Sequence, residues 1–302
     1  MFRMADALNS LGVEAEMWAH CPSRFTWFKP KTQVRVCTLD NAPDVDVLIN
    51  SGCSTTIGTY RFKRKRVGVQ WLRGHEVWAR PEEKLHSLYS LDMPIWANSE
   101  WLATHVSDAT KTNNAEVQYC GIPLSDFYEV FEDDDSPCIG ALWSSKPMKR
   151  ASIAMEVFKR LNGFSFLLFG NEPKPEGLPG NVSYIWRPDM EHKRVMYSNC
   201  DIWLATSEME GLHIPPMEAA LCGATVVAPG HPSAGVSDYC IDGLTGQTYN
   251  TVDDAVARIE FLMKKSAVRE GMNKVMRKMI ATKVGDVETN AQRMIARLEK
   301  LL

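Results

Sequence analysis

Apolar residues recur along the chain in segments of strand length that alternate with segments of helix length. Five apolar runs in the first half have the length of buried strands: 13–18, 32–39, 44–51, 66–72 and 94–99. Ser99 is a suitable N-cap for a helix predicted over 99–109, and a further strand is predicted over 115–120. Strands that alternate with helices in this way predict a parallel, doubly wound sheet.

A second alternating series begins after the acidic run Glu132–Pro137. Its predicted strands lie at 138–143, 164–170, 181–186, 201–207 and 224–229. Its predicted helices lie at 149–161, 190–199 and 215–221, and the tail is helical at 251–302. We therefore predict two Rossmann-like domains facing a central cleft, 1–135 and 136–285, and a C-terminal helix, 286–302, that packs on the first domain. The acidic run is the predicted linker, and the alternative is a surface loop within one domain.

Composition narrows the class of protein. Hydrophobic residues make up 45% and charged residues 24% of the chain, which is typical of a folded protein. Residues 1–135 hold 14 Lys or Arg against 19 Asp or Glu, and the remainder holds 20 against 18, so neither half is a basic nucleic-acid footprint. The eight cysteines form no CxxC or zinc-type spacing, which favours reduced thiols and a cytoplasmic location. No apolar run is long enough for a membrane span, although peripheral contact with a membrane stays open.

Two glutamates, Glu210 and Glu218, flank a turn and a helix start in the second half. The strand predicted at 201–207 places Glu210 in a strand-end loop, where sheets of this type bind ligands. We predict that the helix begins near Pro216, which puts Glu218 in the first turn, where the helix dipole stabilises a carboxylate. A carboxylate can also accept hydrogen bonds from the paired hydroxyls of a ribose. Spacing alone leaves a ligand site and ordinary loop and capping acids equally open.

The stretch 210–228, EGLHIPPMEAALCGATVVA, resembles the E-x7-E signature of retaining GT-B glycosyltransferases of family 4, the glycosyl transferases group 1. Further segments resemble other elements of that family in the same order along the chain: 97–102, 119–129, 148–161, 166–172, 196–208 and 237–246. The resemblance extends over 67–250 and is most specific in the second predicted domain. It implies a GT-B fold and retaining sugar transfer.

By this resemblance, the second domain binds a nucleoside-diphosphate sugar such as a UDP-sugar, with no metal or other cofactor. Glu210 is expected to face the donor sugar and Lys149 the diphosphate, which makes these two the predicted catalytic residues. Glu218 is expected to bind the ribose, and the backbone amides from Gly211 to His213 are expected to bind sugar hydroxyls. The predicted donor-binding residues are Glu218, Gly211, Leu212, His213, Lys146, Ser144 and Arg187.

Three departures from the family pattern matter. Ser144 stands where the family usually has an arginine, and Lys146 is a suggested substitute. His213 replaces the second glycine of the turn after Glu210, which adds an imidazole to the site. The chain begins inside the helix that in the family follows a first strand and a glycine-rich loop, so we expect either a first domain that lacks both or a sequence that is shortened at its N-terminus.

The segment Trp71–Trp78, WLRGHEVW, follows a predicted strand and resembles a QGxExW turn of some family members. His75 is the third predicted catalytic residue, through contact with the acceptor or the sugar. The residues predicted on the acceptor side are Arg73, Glu76 and Ser99. The alternatives are a structural His–Glu pair that caps a helix and, for Arg73, an ordinary surface charge. Three tryptophans in or beside predicted strands are assigned to the core: Trp143, Trp186 and Trp203.

Other functions stay open at this point. One alternative is a catalytically weak nucleotide-sugar-binding protein or regulatory subunit, which the missing arginine favours. Another is a glycosyltransferase that acts on modified nucleic acid, guided by the basic run 61–66, RFKRKR, although a solvated loop is the favoured explanation of that run because the rest of this half is acidic. The acceptor classes left open are a glycan, a lipid-linked sugar, a small molecule and modified nucleic acid.

Overall fold

The computed structural model describes residues 1–19, 30–36, 45–63, 66–112, 115–130 and 138–302. The chain forms two compact units, one from Met1–Gly121 with Gly285–Leu302 and one from Ile122–Val284. Each unit combines helices with parallel sheets, which confirms the predicted α/β class. The predicted linker Glu132–Pro137 lies outside the described residues, and the predicted domain limits stay a prediction.

The first unit has a two-stranded and a four-stranded parallel sheet. Its elements are α1 (Phe2–Ser10), β1 (Met17–Ala19), β2 (Val34–Val36), β3 (Val47–Asn50), α2 (Thr56–Lys63), β4 (Val67–Leu72), α3 (Glu82–Tyr89), β5 (Ile95–Ala97), α4 (Glu100–Thr110) and β6 (Ala115–Val117). The larger sheet has the order β3-β4-β5-β6, in which strands consecutive in sequence are neighbours. Leu85 of α3 and Leu102 and Val106 of α4 are fully buried beside Ile95 of β5, because the apolar faces of both helices turn towards the sheet.

The second unit is built on one six-stranded parallel sheet. Its strands are β7 (Cys138–Trp143), β8 (Ser165–Gly170), β9 (Val182–Trp186), β10 (Ile202–Leu204), β11 (Thr225–Pro229) and β12 (Gln247–Tyr249). The strand order is β12-β11-β10-β7-β8-β9, so the order of connection reverses between β7 and β10. This is the doubly wound arrangement of Rossmann folds, which bind ligands at the reversal.

Helices cover both faces of this sheet and continue into the tail. They are α5 (Ala151–Arg160), α6 (Met190–Ser198), α7 (Ile214–Leu221), α8 (Val252–Lys264) and α9 (Ser266–Met279), followed by a π-helical turn (Ile280–Val284) and α10 (Val287–Leu298). The last helix, α10, belongs to the first unit and packs on α1. Within the described residues no helix is both long and apolar enough to cross a membrane.

The packing of the core in the second unit explains why its strands are continuous apolar runs in the sequence. Ile139, Leu168, Ile202 and Val227 are buried in the same cluster with helix residues on one face of the sheet, as expected for parallel strands covered on both sides. Trp203 is buried as predicted, but the core assignment of Trp186 is wrong, because this side chain is 55% exposed at the end of β9.

Candidate active site

The candidate site lies where the strand order of the second unit reverses, between β7 and β10. The loop after β7 forms a short 3₁₀ turn, Pro147–Lys149. The loop after β10 is tied to it, because the backbone N–H of Glu208 donates to the carbonyl of Met148 at 2.8 Å and the Thr206 hydroxyl donates to the carbonyl of Lys149 at 2.7 Å. The two loops therefore hold one fixed geometry beyond the carboxyl ends of the strands, where Rossmann folds bind ligands.

Lys149 and Glu210, two residues predicted to be catalytic, form an ion pair in these loops. The Lys149 ammonium donates from Nζ to Oε1 of Glu210, and both side chains are largely buried. Nε2 of His213 lies 3.9 Å from the same carboxylate oxygen, and the His213 side chain is only 4% exposed. Lys149, Glu210 and His213 form what we call the switch-point cluster, which combines a cation, an anion and an imidazole.

Burial sets the protonation state of His213, and neighbouring charges and hydrogen bonds set that of Glu210. It lowers the pKa of His213 to about 4, in spite of the nearby Glu210 carboxylate, so the imidazole is neutral at pH 7. Burial alone would raise the pKa of Glu210, but the charge of protonated His213, the charge of Lys149 and hydrogen bonds from Lys149 and Ser207 together lower it. Glu210 is therefore an anion at pH 7, and it compensates the charge of Lys149.

The loop after β11 fixes the turn that carries Glu210 and His213. The backbone N–H of Glu210 donates to the carbonyl of Ser233 at 2.8 Å, and that of His213 donates to the carbonyl of Gly235 at 3.0 Å. The hydroxyl of Tyr239 donates to the carbonyl of His213 at 2.5 Å. The His213 amide is thus already engaged, contrary to the expectation that it binds a sugar hydroxyl. Three strand-end loops, not one motif, define the position of Glu210.

Glu218 is held differently from the way the sequence predicts. Helix α7 begins at Ile214, two residues before the predicted start, and its first turn holds no acid, so the first-turn assignment of Glu218 is wrong. The hydroxyl of Tyr197 on α6 donates to Oε2 of Glu218 at 2.8 Å. Burial raises the pKa of Tyr197, which keeps this hydroxyl protonated. A tyrosine from a neighbouring helix therefore orients this carboxylate.

Ser144, at the position of the expected arginine, anchors the loop after β7 to the loop after β8. Its hydroxyl donates to Oε1 of Glu172 at 2.9 Å, and the backbone N–H of Ser145 donates to Oε2 of the same carboxylate at 2.9 Å. These hydrogen bonds lower the pKa of Glu172, and those from Ser145 have the largest effect. The side chain of Lys146 is exposed. Ser144 therefore shapes the loop, and Lys146 adds a further positive charge to it.

The other predicted donor residues divide into two groups. Gly211 and Leu212 lie between Glu210 and His213 and are buried with them. Arg187 lies after β9, two strands away from β7, in the left-handed backbone region at φ +50°. Its guanidinium stacks on Trp186 at 5.1 Å and donates from Nε to the carbonyl of Asn171 at 3.2 Å. Arg187 therefore lies two strands away from β7, the strand whose following loop carries Lys149.

The candidates in the first unit each have a partner there. His75 is buried, and its Nδ1 lies 3.1 Å from the hydroxyl of Tyr89. Oε2 of Glu76 accepts from the backbone N–H of Cys53 at 2.6 Å, which ties the loop after β4 to the loop after β3. Arg73 lies over the ring of Trp71 at 5.3 Å. These contacts fit the alternative of a structural His–Glu turn, and the catalytic and acceptor-side roles stay predictions.

Two further sequence features have structural counterparts. Ser99 is fully buried, and its hydroxyl caps α4 by accepting from the backbone N–H of Leu102 at 3.4 Å. In the basic run 61–66, the first three residues end helix α2, residues 64 and 65 lie outside the described part of the chain, and Arg66 pairs with Asp46 at 3.1 Å. Neither observation points to a nucleic-acid site.

The fold and the switch-point cluster define a class of protein, a Rossmann-type α/β protein with a cation and a carboxylate at the sheet reversal. The model of the family "Glycosyl transferases group 1" matches residues 129–279, half of the chain. The protein therefore belongs to the glycosyl transferases group 1 family, as the motifs indicated. None of the curated proteins matches the chain.

Solved structures with the same fold include glycosyltransferases. Sucrose-phosphate synthase from Thermosynechococcus elongatus superposes with a TM-score of 0.84 at 15% identity, over 99% of this chain and 92% of that chain. A glycosyltransferase from Rickettsia africae gives 0.81 at 12% identity, over 99% and 93%. HepE from Anabaena, in complex with UDP, gives 0.76 at 16% identity, over 89% and 86%. These similarities establish the GT-B type of fold.

Sequence reasoning missed the residues that support the site. Tyr197, Ser233 and Tyr239 each bond to the cluster or to Glu218. Tyr239 lies within a segment that resembles a family element, and Ser233 lies in a strand-end loop, so both were in reach of the pattern. Tyr197 also lies within a segment that resembles a family element, 196–208, but its pairing with Glu218 had no sequence signal, because the two residues are twenty-one positions apart on different helices.

Proposed function

We propose that the protein transfers a sugar from a nucleoside-diphosphate sugar to an acceptor, with the donor bound at the switch-point cluster. The observation that carries this proposal is the Lys149–Glu210 ion pair at the reversal of a doubly wound sheet. Family membership supports glycosyl transfer. A uridine diphosphate donor is the first to test, since HepE was solved with UDP-glucose.

In this proposal, Lys149 stabilises the leaving diphosphate. Negative charge develops on the phosphate oxygen as the bond to the anomeric carbon lengthens, and a fixed ammonium lowers the free energy of that state. Glu210 holds the ammonium in position before the donor binds. On binding, the diphosphate shares the charge of Lys149, and the carboxylate accepts from hydroxyls of the donor sugar. Glu218, oriented by Tyr197, accepts from the ribose hydroxyls.

The proposed transfer is retaining and needs no metal at the donor. Glu210 is already paired with Lys149, which makes it a poor nucleophile for a covalent intermediate. Attack of the acceptor on the face of the departing diphosphate is therefore favoured over a double displacement. Lys149 and the exposed Lys146 supply the positive charge that a metal provides elsewhere. Activity is expected to be the same with and without added Mg²⁺.

His213 gives the site a neutral, buried polar group beside the carboxylate. We propose that it selects the donor sugar through one hydroxyl, since an imidazole at this point donates or accepts a hydrogen bond that the usual glycine cannot make. The proposed acceptor-side residues are Arg73, His75, Glu76 and Ser99, and the acceptor classes are those left open by the sequence.

The decisive experiment is a binding screen followed by turnover. Thermal melting is measured with UDP-, GDP-, ADP- and TDP-sugars, because a ligand that binds only the folded protein raises its melting temperature. Lys149→Ala is compared with Lys159→Ala, an exposed lysine in the last turn of α5 that serves as the matched control. The proposal requires a shift in the wild type and the control that is reduced in Lys149→Ala.

Two outcomes would decide against it. Full transfer activity in both Lys149→Ala and Glu210→Gln would remove the switch-point cluster from the mechanism. Tight nucleotide-sugar binding without turnover on glycan, lipid-linked, small-molecule or nucleic-acid acceptors would favour the alternative of a binding protein or regulatory subunit. Ser144 in place of the usual arginine is the observation that keeps this alternative in the test.

A further inference from the structure

A second polar cluster lies in the first unit, and it shares no residue with the switch-point cluster. Three imidazoles and one carboxylate meet there: His75 in the loop after β4, Glu82 and His86 on α3, and His105 on α4. Glu82 and His86 are four residues apart, so they lie on the same face of α3. Helices α3 and α4 pack on each other, which brings His105 to that face.

The ligand atoms of this group are close enough together to bind one metal ion after small side-chain movements. One ligand atom from each of the four residues lies within 4.8 Å of all the others. Oε1 of Glu82 lies 3.7 Å from Nε2 of both His75 and His86. The rings of His75 and His105 have centroids 4.2 Å apart. Tetrahedral zinc with bonds near 2.0 Å needs ligand atoms about 3.3 Å apart, so rotations of side chains suffice.

Two buried ring nitrogens in the group lack a hydrogen-bond partner among the described residues. Nε2 of His86 and Nε2 of His105 are buried and make no hydrogen bond among the described residues. An imidazole nitrogen without a partner costs free energy in a protein interior. These two nitrogens lie on adjoining helices; Nε2 of His86 is 3.7 Å from Glu82, and the ring of His105 lies against the ring of His75. One cation that accepts lone pairs from the group explains both.

The surroundings of His75 support the same explanation. Its Nδ1 lies 3.1 Å from the hydroxyl of Tyr89, which leaves Nε2 directed at Glu82. Metal-bound histidines usually have their second nitrogen fixed by such a partner, which sets the tautomer and the ring orientation. The competing explanation is an aromatic cluster held by ring contacts alone, and it leaves the two buried Nε2 atoms unexplained.

We infer that His75, Glu82, His86 and His105 bind a Zn²⁺ ion. Three imidazole nitrogens and one carboxylate oxygen are a ligand set that suits zinc, and four protein ligands are typical of a structural site. The ion would join the loop after β4 to α3 and α4, and so fix the segment that contains Arg73 and Glu76. This inference does not rest on the proposed glycosyl transfer, but it makes His75 a zinc ligand in place of its proposed acceptor-side role. It also departs from the sequence-based expectation that the chain binds no metal.

The test is metal binding by the full chain produced without a histidine tag and stripped with a chelator. Calorimetry with Zn²⁺ is expected to give one equivalent bound. Co²⁺ is expected to give the intense visible absorption of a tetrahedral ion, which Zn²⁺ abolishes by displacement. Trp101, whose ring lies 6.0 Å from that of His105, provides a fluorescence signal for binding.

Variants distinguish this site from adventitious binding. His86→Ala and His105→Ala are each expected to weaken Zn²⁺ binding by about ten-fold or more. His86 is one-third exposed, so its variant tests the inference even if His105→Ala does not fold. The matched control is His192→Ala, which removes an exposed imidazole paired with Asp189 and should leave Zn²⁺ binding unchanged.

Three results would overturn the inference. The first is a stripped wild-type protein that binds no Zn²⁺. The second is a loss of affinity in His192→Ala equal to that in His86→Ala, which would indicate scattered surface binding. The third is a tetrahedral Co²⁺ spectrum that persists in a folded double variant, His86→Ala with His105→Ala.

Discussion

His213 in the second unit and His75 in the first are both buried, and burial lowers the pKa of each to about 4. Their surroundings differ in charge. His213 lies beside the Glu210 carboxylate, whose negative charge is balanced by the Lys149 ammonium. The charges of the switch-point cluster are therefore balanced within the protein. His75 lies among two further imidazoles and one largely exposed carboxylate, with no lysine or arginine among their described ion-pair partners.

This difference teaches how to tell a site for a substrate from a site for an ion. A charged pair on strand-end loops can exchange a partner, because an anionic substrate can take the place of the Glu210 carboxylate beside the Lys149 ammonium. The imidazoles and the carboxylate of the second group offer lone pairs to a cation, and no lysine or arginine is among their described ion-pair partners. We therefore propose a catalytic role for the first arrangement and metal binding for the second.

The largest effect expected is on catalysis through the switch-point cluster. Lys149→Ala removes the positive charge that faces the leaving diphosphate, and transfer is expected to fall by about 100-fold or more. Zn²⁺ binding should be unaffected in this variant, since its ligands lie in the other unit. Steady-state transfer and calorimetry on the same preparation check both halves. A parallel loss of metal binding would mean that the two clusters are not separate.

The next effect concerns pH and stability. The pKa of His213 is about 4 in the folded protein and near 6.5 when unfolded, so on acidification the unfolded state binds the proton first. The free energy of unfolding therefore falls as pH decreases from about 6.5 to 4, by about 2 kcal/mol at pH 5 for this group.

His213→Gln should remove this part of the pH dependence. Denaturant unfolding of wild type and variant at pH 7.5 and pH 5 measures it, and the pH range stays above the window where Glu210, whose pKa is lowered, takes up its proton. Identical pH dependence in both proteins would show that His213 does not remain neutral in the folded state.

A smaller effect is expected from the glycine that supports Glu210. Gly235 has φ +71°, and a Cβ there would lie 2.8 Å from Cβ of Glu210. Gly235→Ala is expected to cost about 1–2 kcal/mol from the backbone conformation and to lower transfer by displacing the carboxylate. Gly243, at φ +72° with open space around it, is the matched control. Gly243→Ala should lose similar stability and keep its activity, and equal losses of activity would contradict the assignment.

The smallest effect belongs to the cap of α4 in the first unit. Ser99→Ala removes the hydroxyl that accepts from Leu102, at a cost of about 1 kcal/mol in unfolding free energy. His105 lies two turns further along this helix, so the Zn²⁺ stoichiometry should stay at one. Melting temperature and calorimetry check both. Loss of the bound ion in Ser99→Ala would show that the site depends on the whole helix end.

Local patterns were sufficient for most of the architecture. The runs at 138–143 and 181–186 match β7 and β9 to within a residue, because parallel strands covered on both faces must be apolar throughout. The short strand β12 was missed, since QTY carries little apolar signal. The start of α7 was placed two residues late, because proline marks the first turn but not its first position.

The sequence by itself determined the fold class and the family motifs, and it indicated Lys149 and Glu210 as candidate site residues. These features depend on strand-end loops and their spacing, which are local in the chain. Only the tertiary structure decided that these two side chains pair, that Tyr197 orients Glu218, and that His213 is buried and neutral. The cluster of His75, Glu82, His86 and His105 was likewise invisible in sequence. Its members lie on a loop and two helices, and packing alone fixes the distances between them.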